Sequence, residues 1–313
     1  MNLDACLPAE LRGPTTTISK ISAGLSGAGV YRVDANGQSY VLKMSNHDEP
    51  LGQWRSIVAI QQLAANAGVA PSIVHTDESC RAIVSAFVAD RSFPALFMTP
   101  TTREAALALL ATTIRRVHDL PLPAEATSRD ATAFLGSIWE RLDGQYAIPA
   151  FVGDAVRRVL SEEVPPSGRE VVLSHNDVNP SNLVYDGEHL FFLDWDAAGP
   201  NDPFYDLATI AVFLRMDDDT CKRLLSAYDG ALVEQLPPRF MYCRRMVAVL
   251  CGTTILDVTR RGGYAPASEA PTLESVPALG EFYQLMRTGK VNIATTDGQW
   301  WFGLALTKES LGL

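Results

Sequence analysis

Three oxygen-bearing side chains stand at spacings that suit phosphoryl-transfer chemistry. Asp177 lies two residues after His175, Asn182 follows five residues later, and Asp194 ends the apolar run 191–193. In an H-x-D-x-x-x-x-N frame of this kind, the aspartate accepts the proton of an attacking hydroxyl and the amide holds a magnesium ion. A second aspartate at a strand end holds the metal that bridges phosphate groups. Asp177 is therefore the candidate catalytic base, and Asn182 and Asp194 are the candidate Mg²⁺ ligands.

Each of these residues also has a plainer interpretation. The stretch 175–180 is rich in turn formers, so Asp177 alone would indicate a polar turn between strands. Asp194 alone would be an acid that happens to end a buried strand. The Asp-Gly pair at 186–187, however, predicts a hairpin that returns Asp194 to the vicinity of Asn182. This predicted proximity favours the site over the separate interpretations.

Neighbouring polar residues are expected to support the loop. His175 is predicted to orient the loop through hydrogen bonds rather than to act as a base. Asp196 is left open between assisting a second metal and capping the following turn. Asp206 is expected to cap the next helix and to brace the catalytic loop.

A glycine-rich segment precedes a hairpin that ends at Lys43. Gly24, Gly27 and Gly29 could let backbone amides approach phosphates, although their spacing is not the G-x-G-x-x-G fingerprint. Asn-Gly at 36–37 predicts a tight turn between two strands. A lysine at the end of such a strand can pair with nucleotide phosphates, although it is more often a solvated edge residue.

The periodicity of the chain predicts an α+β fold in two parts. Alternating segments predict an antiparallel sheet of about five strands with one helix over residues 15–90. A second β-rich segment runs over 171–196. The remaining periodic segments predict helices over 105–118, 134–142, 152–163, 207–216, 220–228, 239–258 and 279–286. We therefore expect an N-terminal nucleotide-binding lobe over 1–88 and a larger, mainly helical lobe with the catalytic loop and acceptor site over 89–313.

Composition narrows the possible partners. The 313 residues carry a formal net charge of −10, which disfavours nucleic acid and mildly favours a cationic or neutral substrate. No run approaches the length that spans a bilayer, so no membrane partner is expected. The amino terminus lacks the features of a secretory signal. Five scattered cysteines without a C-x-x-C pair predict a reducing cytoplasm.

Seven aromatic residues fall in the later predicted helices. A quaternary ammonium substrate would favour an aromatic cage, whereas aromatics at helical spacing are usually core residues. The residues concerned are Tyr228, Tyr242, Tyr264, Tyr283, Trp300, Trp301 and Phe302.

Three segments together resemble a known family. They are His-Asn-Asp-Val-Asn-Pro-Ser-Asn at 175–182, Leu-Asp-Trp-Asp at 193–196, and the Gly-x-Asn-Asp-Pro…Asp-Leu-Ala pattern at 199–208. They are similar to the aminoglycoside phosphotransferase and choline kinase superfamily, and closest to its choline/ethanolamine kinase branch. The resemblance implies a two-lobed, protein-kinase-like fold, ATP with Mg²⁺, and a small-molecule hydroxyl as phosphate acceptor. It also implies that adenine lies against main-chain groups near Ala86 and Val88.

The chain departs from the family pattern on the helix after Lys43. The family usually has a glutamate there that pairs with the lysine, but the expected position falls near Ser56. Glu49 is the nearest acid upstream, so either Glu49 pairs with Lys43 or the lysine is anchored otherwise.

Two other classes of protein are compatible with parts of this pattern. A catalytically inactive, nucleotide-binding scaffold is the alternative that the missing glutamate suggests. A protein kinase is disfavoured because Asp206 follows Asp194 too closely to leave room for a long peptide-docking segment. The acceptor and the oligomeric state stay open.

Overall fold

The computed structural model describes residues 3–21, 29–46, 49–123, 128, 130–144, 148–265 and 270–313. Its contacts divide the chain into two compact units. The first comprises Met1–Ala126 and Val172–Gly199, and the second comprises Thr127–Val171 and Pro200–Leu313. The lobe boundary predicted after residue 88 stays a prediction.

The first unit contains a five-stranded antiparallel sheet in the order β1-β2-β3-β5-β4. Its strands are β1 (Thr17–Lys20), β2 (Gly29–Ala35), β3 (Gln38–Met44), β4 (Ile73–Asp77) and β5 (Ala82–Ala86). The turn between β2 and β3 has positive φ at both Asn36 (53°) and Gly37 (76°). Positive φ at both central residues matches the twist of paired strands, which explains why Asn-Gly forms this turn. The predicted hairpin is thereby confirmed.

One face of the sheet is covered by the N-terminal segment. Two short 3₁₀ helices, Leu3–Cys6 and Ala9–Leu11, bring Cys6, Leu7 and Leu11 onto the sheet. These side chains are buried together with sheet residues that include Val33, Leu42 and Val84. Because successive strand residues face opposite sides, Lys43 next to Leu42 points to the other face.

Three helices and a second β hairpin complete this unit. The helices are α1 (Leu51–Asn66), α2 (Phe93–Met98) and α3 (Arg103–His118), and the later strands are β6 (Val172–Ser174), β7 (Leu183–Tyr185), β8 (Leu190–Phe192) and β9 (Gly199–Asn201), the last of which ends in the second unit. β7 and β8 form the hairpin that the Asp-Gly pair predicts, with Leu183 opposite Phe192. Main-chain hydrogen bonds connect this hairpin to the segments that precede β4 and follow β5. Phe192 N–H donates to the Val69 carbonyl (2.8 Å), and Arg91 N–H donates to the Tyr185 carbonyl (2.7 Å).

The second unit is mainly helical. Its helices are α4 (Ala131–Leu142), α5 (Ala150–Ser161), α6 (Pro203–Phe213), α7 (Asp218–Asp229), α8 (Pro238–Arg261), α9 (Leu279–Arg287) and α10 (Thr296–Glu309). Asp202, not Asp206 as expected, caps α6, because its carboxylate accepts the Phe204 N–H at 2.9 Å. Asp206 lies in the first turn of α6 and is fully buried.

The sequence pattern does not delimit α2 and α10. α2 has only six residues and contains Pro94, and it is capped by Ser92, whose hydroxyl accepts the Ala95 N–H. In α10 most residues from Trp300 to Thr307 are buried, so no polar face marks the helical period. No helix in the described ranges is long and apolar enough to cross a membrane.

Two glycines let α8 and α10 cross closely. A Cβ added at Gly252 of α8 would lie 2.7 Å from the Gly303 carbonyl oxygen of α10 and would also clash with the Thr307 hydroxyl. We therefore expect Gly252→Ala to lower the free energy of unfolding by about 2 kcal/mol, because the helices must separate. Urea unfolding measures this change.

Gly136→Ala in α4 is the matched control, since a Cβ there meets nothing within 4 Å. It should raise the free energy of unfolding by about 0.5 kcal/mol through reduced freedom of the unfolded chain. Equal effects of the two substitutions would contradict the close crossing.

Candidate active site

A fully buried histidine connects two segments of the first unit. His175 follows β6, and its Nε2 lies 2.9 Å from the Leu193 carbonyl oxygen. Its Nδ1 accepts the backbone N–H of Asp177 at 3.3 Å. A carbonyl can only accept, so the proton is on Nε2 and the ring is neutral in this arrangement. The ring also makes edge contacts with Phe192 and Trp195.

Asp177 is held by two amide side chains. Asn179 Nδ2 donates to one carboxylate oxygen at 2.8 Å, and Asn182 Nδ2 donates to the other at 2.7 Å. Burial raises the pKa of Asp177, and the nearby carboxylate of Asp194 raises it further. The amides of Asn179 and Asn182 oppose this shift without cancelling it. The carboxylate is thus fixed in direction and made more basic than an exposed aspartate.

The β7–β8 hairpin brings Asn182 next to the segment that carries Asp194. Leu193 N–H donates to the Asn182 carbonyl oxygen at 2.8 Å. Because the Asn182 side-chain nitrogen faces Asp177, its amide oxygen is directed to the opposite side of the planar group. Asp177, Asn182 and Asp194 therefore converge as the sequence spacing predicts.

Lys43 reaches this group from β3. Its ammonium lies 2.6 Å from Asp194 Oδ1 and 2.7 Å from Asp196 Oδ1, and its side chain is 16% exposed. Burial lowers the pKa of Lys43, but the attraction of the two carboxylates outweighs it and the pKa is raised. The pKa of Asp194 is lowered, because the pairing with Lys43 outweighs its own burial.

Glu49 has other partners. Its hydrogen bonds go to Ser45 and Gln53, and burial together with the charge of Asp196 raises its pKa. The charge of Lys43 opposes this shift, but the ion pairs of the lysine are made with Asp194 and Asp196. Ser56, at the position where the family usually has glutamate, is exposed and donates to the Gly52 carbonyl of its own helix at 3.1 Å. Of the two possibilities drawn from the sequence, the structure shows the second, in which the lysine is anchored otherwise.

Two residues of the site have left-handed backbone. Asp194 has φ of 61° and Asn176 has φ of 64°. This conformation costs about 1 kcal/mol for a residue other than glycine, and such strain concentrates at functional sites. The Asn176 amide repays part of it by donating to the Ala197 and Gly199 carbonyl oxygens at 3.0 and 3.3 Å.

The predicted nucleotide contacts are placed only in part. Gly24 and Gly27 lie outside the described residues. Gly29 opens β2, opposite Met44 and one position from the Val30–Lys43 pair. Ala86 ends β5 and its N–H donates to the Ser72 carbonyl oxygen at 2.9 Å, so of its main-chain groups only the carbonyl can serve a nucleotide. Val88 follows the strand and is half-buried.

Sequence reasoning missed Asn179 and Asn176. Asn179 also caps the 3₁₀ turn Pro180–Asn182 by accepting the Ser181 N–H at 3.0 Å. The Asn-Pro pair is a recognised turn signal that marks this cap. The contact of Asn179 with Asp177 could not be foreseen, because an asparagine side chain in a turn can adopt more than one orientation.

The donor set fits magnesium. Asp177, Asp194 and Asp196 are hard oxygen donors, the Asn182 amide oxygen adds another, and the Lys43 ammonium already stands between two of the carboxylates as a cation would. No group of three or more His, Cys, Asp or Glu in the described ranges forms a ready-made metal cage. This is the usual situation for Mg²⁺, which keeps water and shares phosphate oxygens.

The seven aromatic residues are placed in the second unit. Tyr228, Tyr242, Trp300 and Phe302 are buried, and Phe302 stacks on Phe282 at 5.3 Å. The Tyr264 hydroxyl donates to Asp297 at 2.7 Å. These contacts are those of core residues and helix braces.

The sheet-and-helix fold and the grouped acids fit the class of phosphotransferases. The chain belongs to the phosphotransferase enzyme family, whose sequence model matches residues 17–240.

Solved structures confirm the predicted α+β, protein-kinase-like fold. A choline/ethanolamine kinase family protein from Mesorhizobium loti has a TM-score of 0.60 and 20% identity, over 96% of this chain and 94% of that one. Choline kinase LicA from Streptococcus pneumoniae has a TM-score of 0.62 and 14% identity, over 80% of this chain and 88% of that one.

A short part of the chain also matches a curated protein in sequence. Protein LicA of Haemophilus influenzae is 39% identical over 62 residues, which cover 19% of this chain and 23% of that protein. The match thus spans about a quarter of that relative's length.

The ion pairs of Lys43 should contribute to the free energy of unfolding. Lys43→Met leaves two partly buried carboxylates without their cation, so we expect the free energy of unfolding to fall by about 2 kcal/mol at pH 7. Lys222→Met is the control, because Lys222 pairs with Asp219 at the surface. It should cost no more than about 0.5 kcal/mol.

The difference in unfolding free energy between wild type and Lys43→Met should depend on pH. The lowered pKa of Asp194 contributes stability above the ordinary value of 3.8, and this contribution is lost as the pH falls through the lower folded value. The raised pKa of Lys43 contributes below the ordinary value of 10.5 and is lost as the pH rises through the folded value. Thermal unfolding at pH 7, 5 and 3 should show a gap between wild type and Lys43→Met that is narrower at pH 3 than at pH 7. A gap that is constant with pH would contradict the ion pairs.

Proposed function

We propose that the protein transfers the γ-phosphate of ATP to a hydroxyl group of a small molecule. One observation supports this most strongly. Asp177 and Asp194 interact electrostatically, Asn182 bonds to the first and is tied by its backbone to the segment of the second, and Lys43 reaches the same place from the sheet. A base, two metal ligands and a phosphate-binding cation are the parts that phosphoryl transfer needs.

Asp177 orients the acceptor and receives its proton. Its carboxylate is fixed by Asn179 and Asn182, so a bound hydroxyl donates its hydrogen bond in one direction. The raised pKa makes the carboxylate a better acceptor of that proton as the oxygen bonds to phosphorus. Holding the hydroxyl in line with the phosphate accounts for a large part of catalysis in such reactions.

Asn182 and Asp194 hold Mg²⁺ in this proposal, and Lys43 holds the phosphates. When bound with ATP, Mg²⁺ neutralises charge on the phosphate that is transferred. Asp194 and Asp196 place two carboxylates on one ammonium, and the carboxylate of Asp177 acts electrostatically on Asp194. This excess of negative charge attracts a divalent cation. Residues 1–88 form the nucleotide-binding lobe, with adenine against the carbonyl of Ala86 and the main chain of Val88.

The acceptor that fits best is a cationic amino alcohol of the choline or ethanolamine type, or an aminoglycoside. The names of the similar proteins and the resemblance at 199–208 support the first. The net charge of −10 suits either, because both acceptors are cationic. None of the cysteines in the described ranges forms a disulfide, which fits an enzyme of the reducing cytoplasm.

Asp177→Asn tests the proposal. We expect phosphate transfer to fall by at least about 100-fold, because the base is removed. Binding of ATP should change little, since Asp177 faces the acceptor. The wild-type protein is first given ATP, Mg²⁺ and a panel of choline, ethanolamine, aminoglycosides and sugar alcohols, and transfer is measured by ADP release and by mass of the product.

Asp219→Asn on the surface of α7 is the control and should behave as wild type. Unchanged turnover in Asp177→Asn would refute the role of the base. Nucleotide binding by the wild type with no transfer to any acceptor would instead favour the inactive scaffold, which the absence of an acid from α1 suggests.

The pH dependence of transfer offers a second test. Only ionised Asp177 accepts the proton, and its pKa is raised by burial, so activity with limiting acceptor should fall on the acid side with a midpoint above 3.8. Asn179→Ser keeps an oxygen to cap the 3₁₀ turn but removes the hydrogen bond from the side-chain amide that lowers the pKa of Asp177. The midpoint should therefore move to higher pH, and a move to lower pH would contradict the assignment.

A further inference from the structure

Lys43 is bound by two acids that lie two residues apart in the chain. Asp194 and Asp196 each contact its ammonium through Oδ1, at 2.6 and 2.7 Å. Only the first of them is assigned to a metal ion in the proposed function. The contact of Lys43 with Asp196 therefore has no assigned purpose.

Helix α1 offers the lysine no acidic partner. Its sequence, LGQWRSIVAIQQLAAN, contains neither aspartate nor glutamate. Glu49, just before the helix, is hydrogen-bonded to Ser45 and Gln53. An ammonium that must point at phosphates needs a fixed anion behind it, because a lysine side chain has four flexible bonds and high rotamer entropy.

The segment that carries Asp196 is firmly placed. Asp196 lies in the 3₁₀ turn Trp195–Ala197, and the Trp195 indole is buried and donates to the Phe192 carbonyl oxygen at 3.0 Å. The Ala197 carbonyl oxygen accepts the Asn176 amide at 3.0 Å. The turn is thus fixed on both sides of Asp196, so its carboxylate is a stable anchor.

Resting on the proposed function, we infer that Asp196 is the positioning residue for Lys43. It holds the ammonium toward the phosphates while Asp194 serves the metal ion. A single ammonium shared by two carboxylates can release one of them and keep the other. Asp196 thereby does from the turn after β8 what an acid on α1 would do from the helix.

Two other roles of Asp196 make different predictions for Asp196→Asn. If Asp196 were a metal ligand, its loss would raise the Mg²⁺ concentration needed for activity and leave metal-free nucleotide binding intact. If it contributed only negative charge, its loss would tighten binding of anionic ATP. The positioning role predicts weaker binding of ATP without any metal, because the lysine loses its anchor.

The experiment measures ATP affinity in EDTA by displacement of a fluorescent ATP analogue. For Asp196→Asn we expect affinity to fall by about tenfold, which is the loss of one charge-assisted contact. The KM for ATP should rise, kcat should change less, and the Mg²⁺ dependence at saturating ATP should stay within about twofold of wild type. Asp196→Glu keeps the anion and should recover most of the affinity.

Glu49→Gln is the matched control. Glu49 attracts Lys43 electrostatically, but its hydrogen bonds go to Ser45 and Gln53. Metal-free affinity should therefore change much less than in Asp196→Asn. If Asp196→Asn binds metal-free ATP as well as wild type does, or shows only a raised Mg²⁺ requirement, the inference is wrong while the proposed function stands. If the wild type binds no nucleotide, both fail.

Discussion

The geometry of the site depends on one buried imidazole that has two hydrogen bonds. His175 donates to the carbonyl of Leu193 and accepts from the N–H of Asp177, so it joins the segment of the base to the segment of the metal ligand. The bonds from Leu193 N–H to the Asn182 carbonyl oxygen and from the Asn182 amide to Asp177 join the same two segments a second time. The neutral ring needs no counter-ion, and the apolar rings of Phe192 and Trp195 can therefore enclose it. The side chains that perform chemistry are positioned by one that does not.

Around this fixed point the protein accumulates negative charge and partly offsets it. Asp194 and Asp196 share Lys43, and Glu49 and Asp177 add carboxyl groups whose pKa burial raises. The raised and lowered values have one cause, which is that charge in a poorly hydrated place is stable only beside an opposite charge. This grouping of charges lowers the stability of the ligand-free protein, and the same charges attract a cation and phosphate.

Local patterns in the sequence were sufficient for much of the fold and for part of the site. Asn36-Gly37 and Asp186-Gly187 each fix a turn by backbone preference, and they therefore predict both hairpins. The acids that hold Lys43 could not be read in this way, because they lie 151 and 153 residues further along the chain. The prediction that Asp206 caps α6 is wrong. Asp202 caps it, because this residue stands directly before the proline that begins the helix. α10 escaped detection because burial on nearly all sides removes the amphipathic signal.

Leu193 contributes to the site entirely through its main chain. Its N–H binds the Asn182 carbonyl and its carbonyl binds His175, while its side chain is only half-buried. The identity of the residue at this point therefore matters little, and many apolar residues would serve. The spacing, in contrast, is rigid. A single insertion or deletion within either paired strand, 183–185 or 190–192, would turn these two groups to the wrong faces and separate the base from the metal ligand.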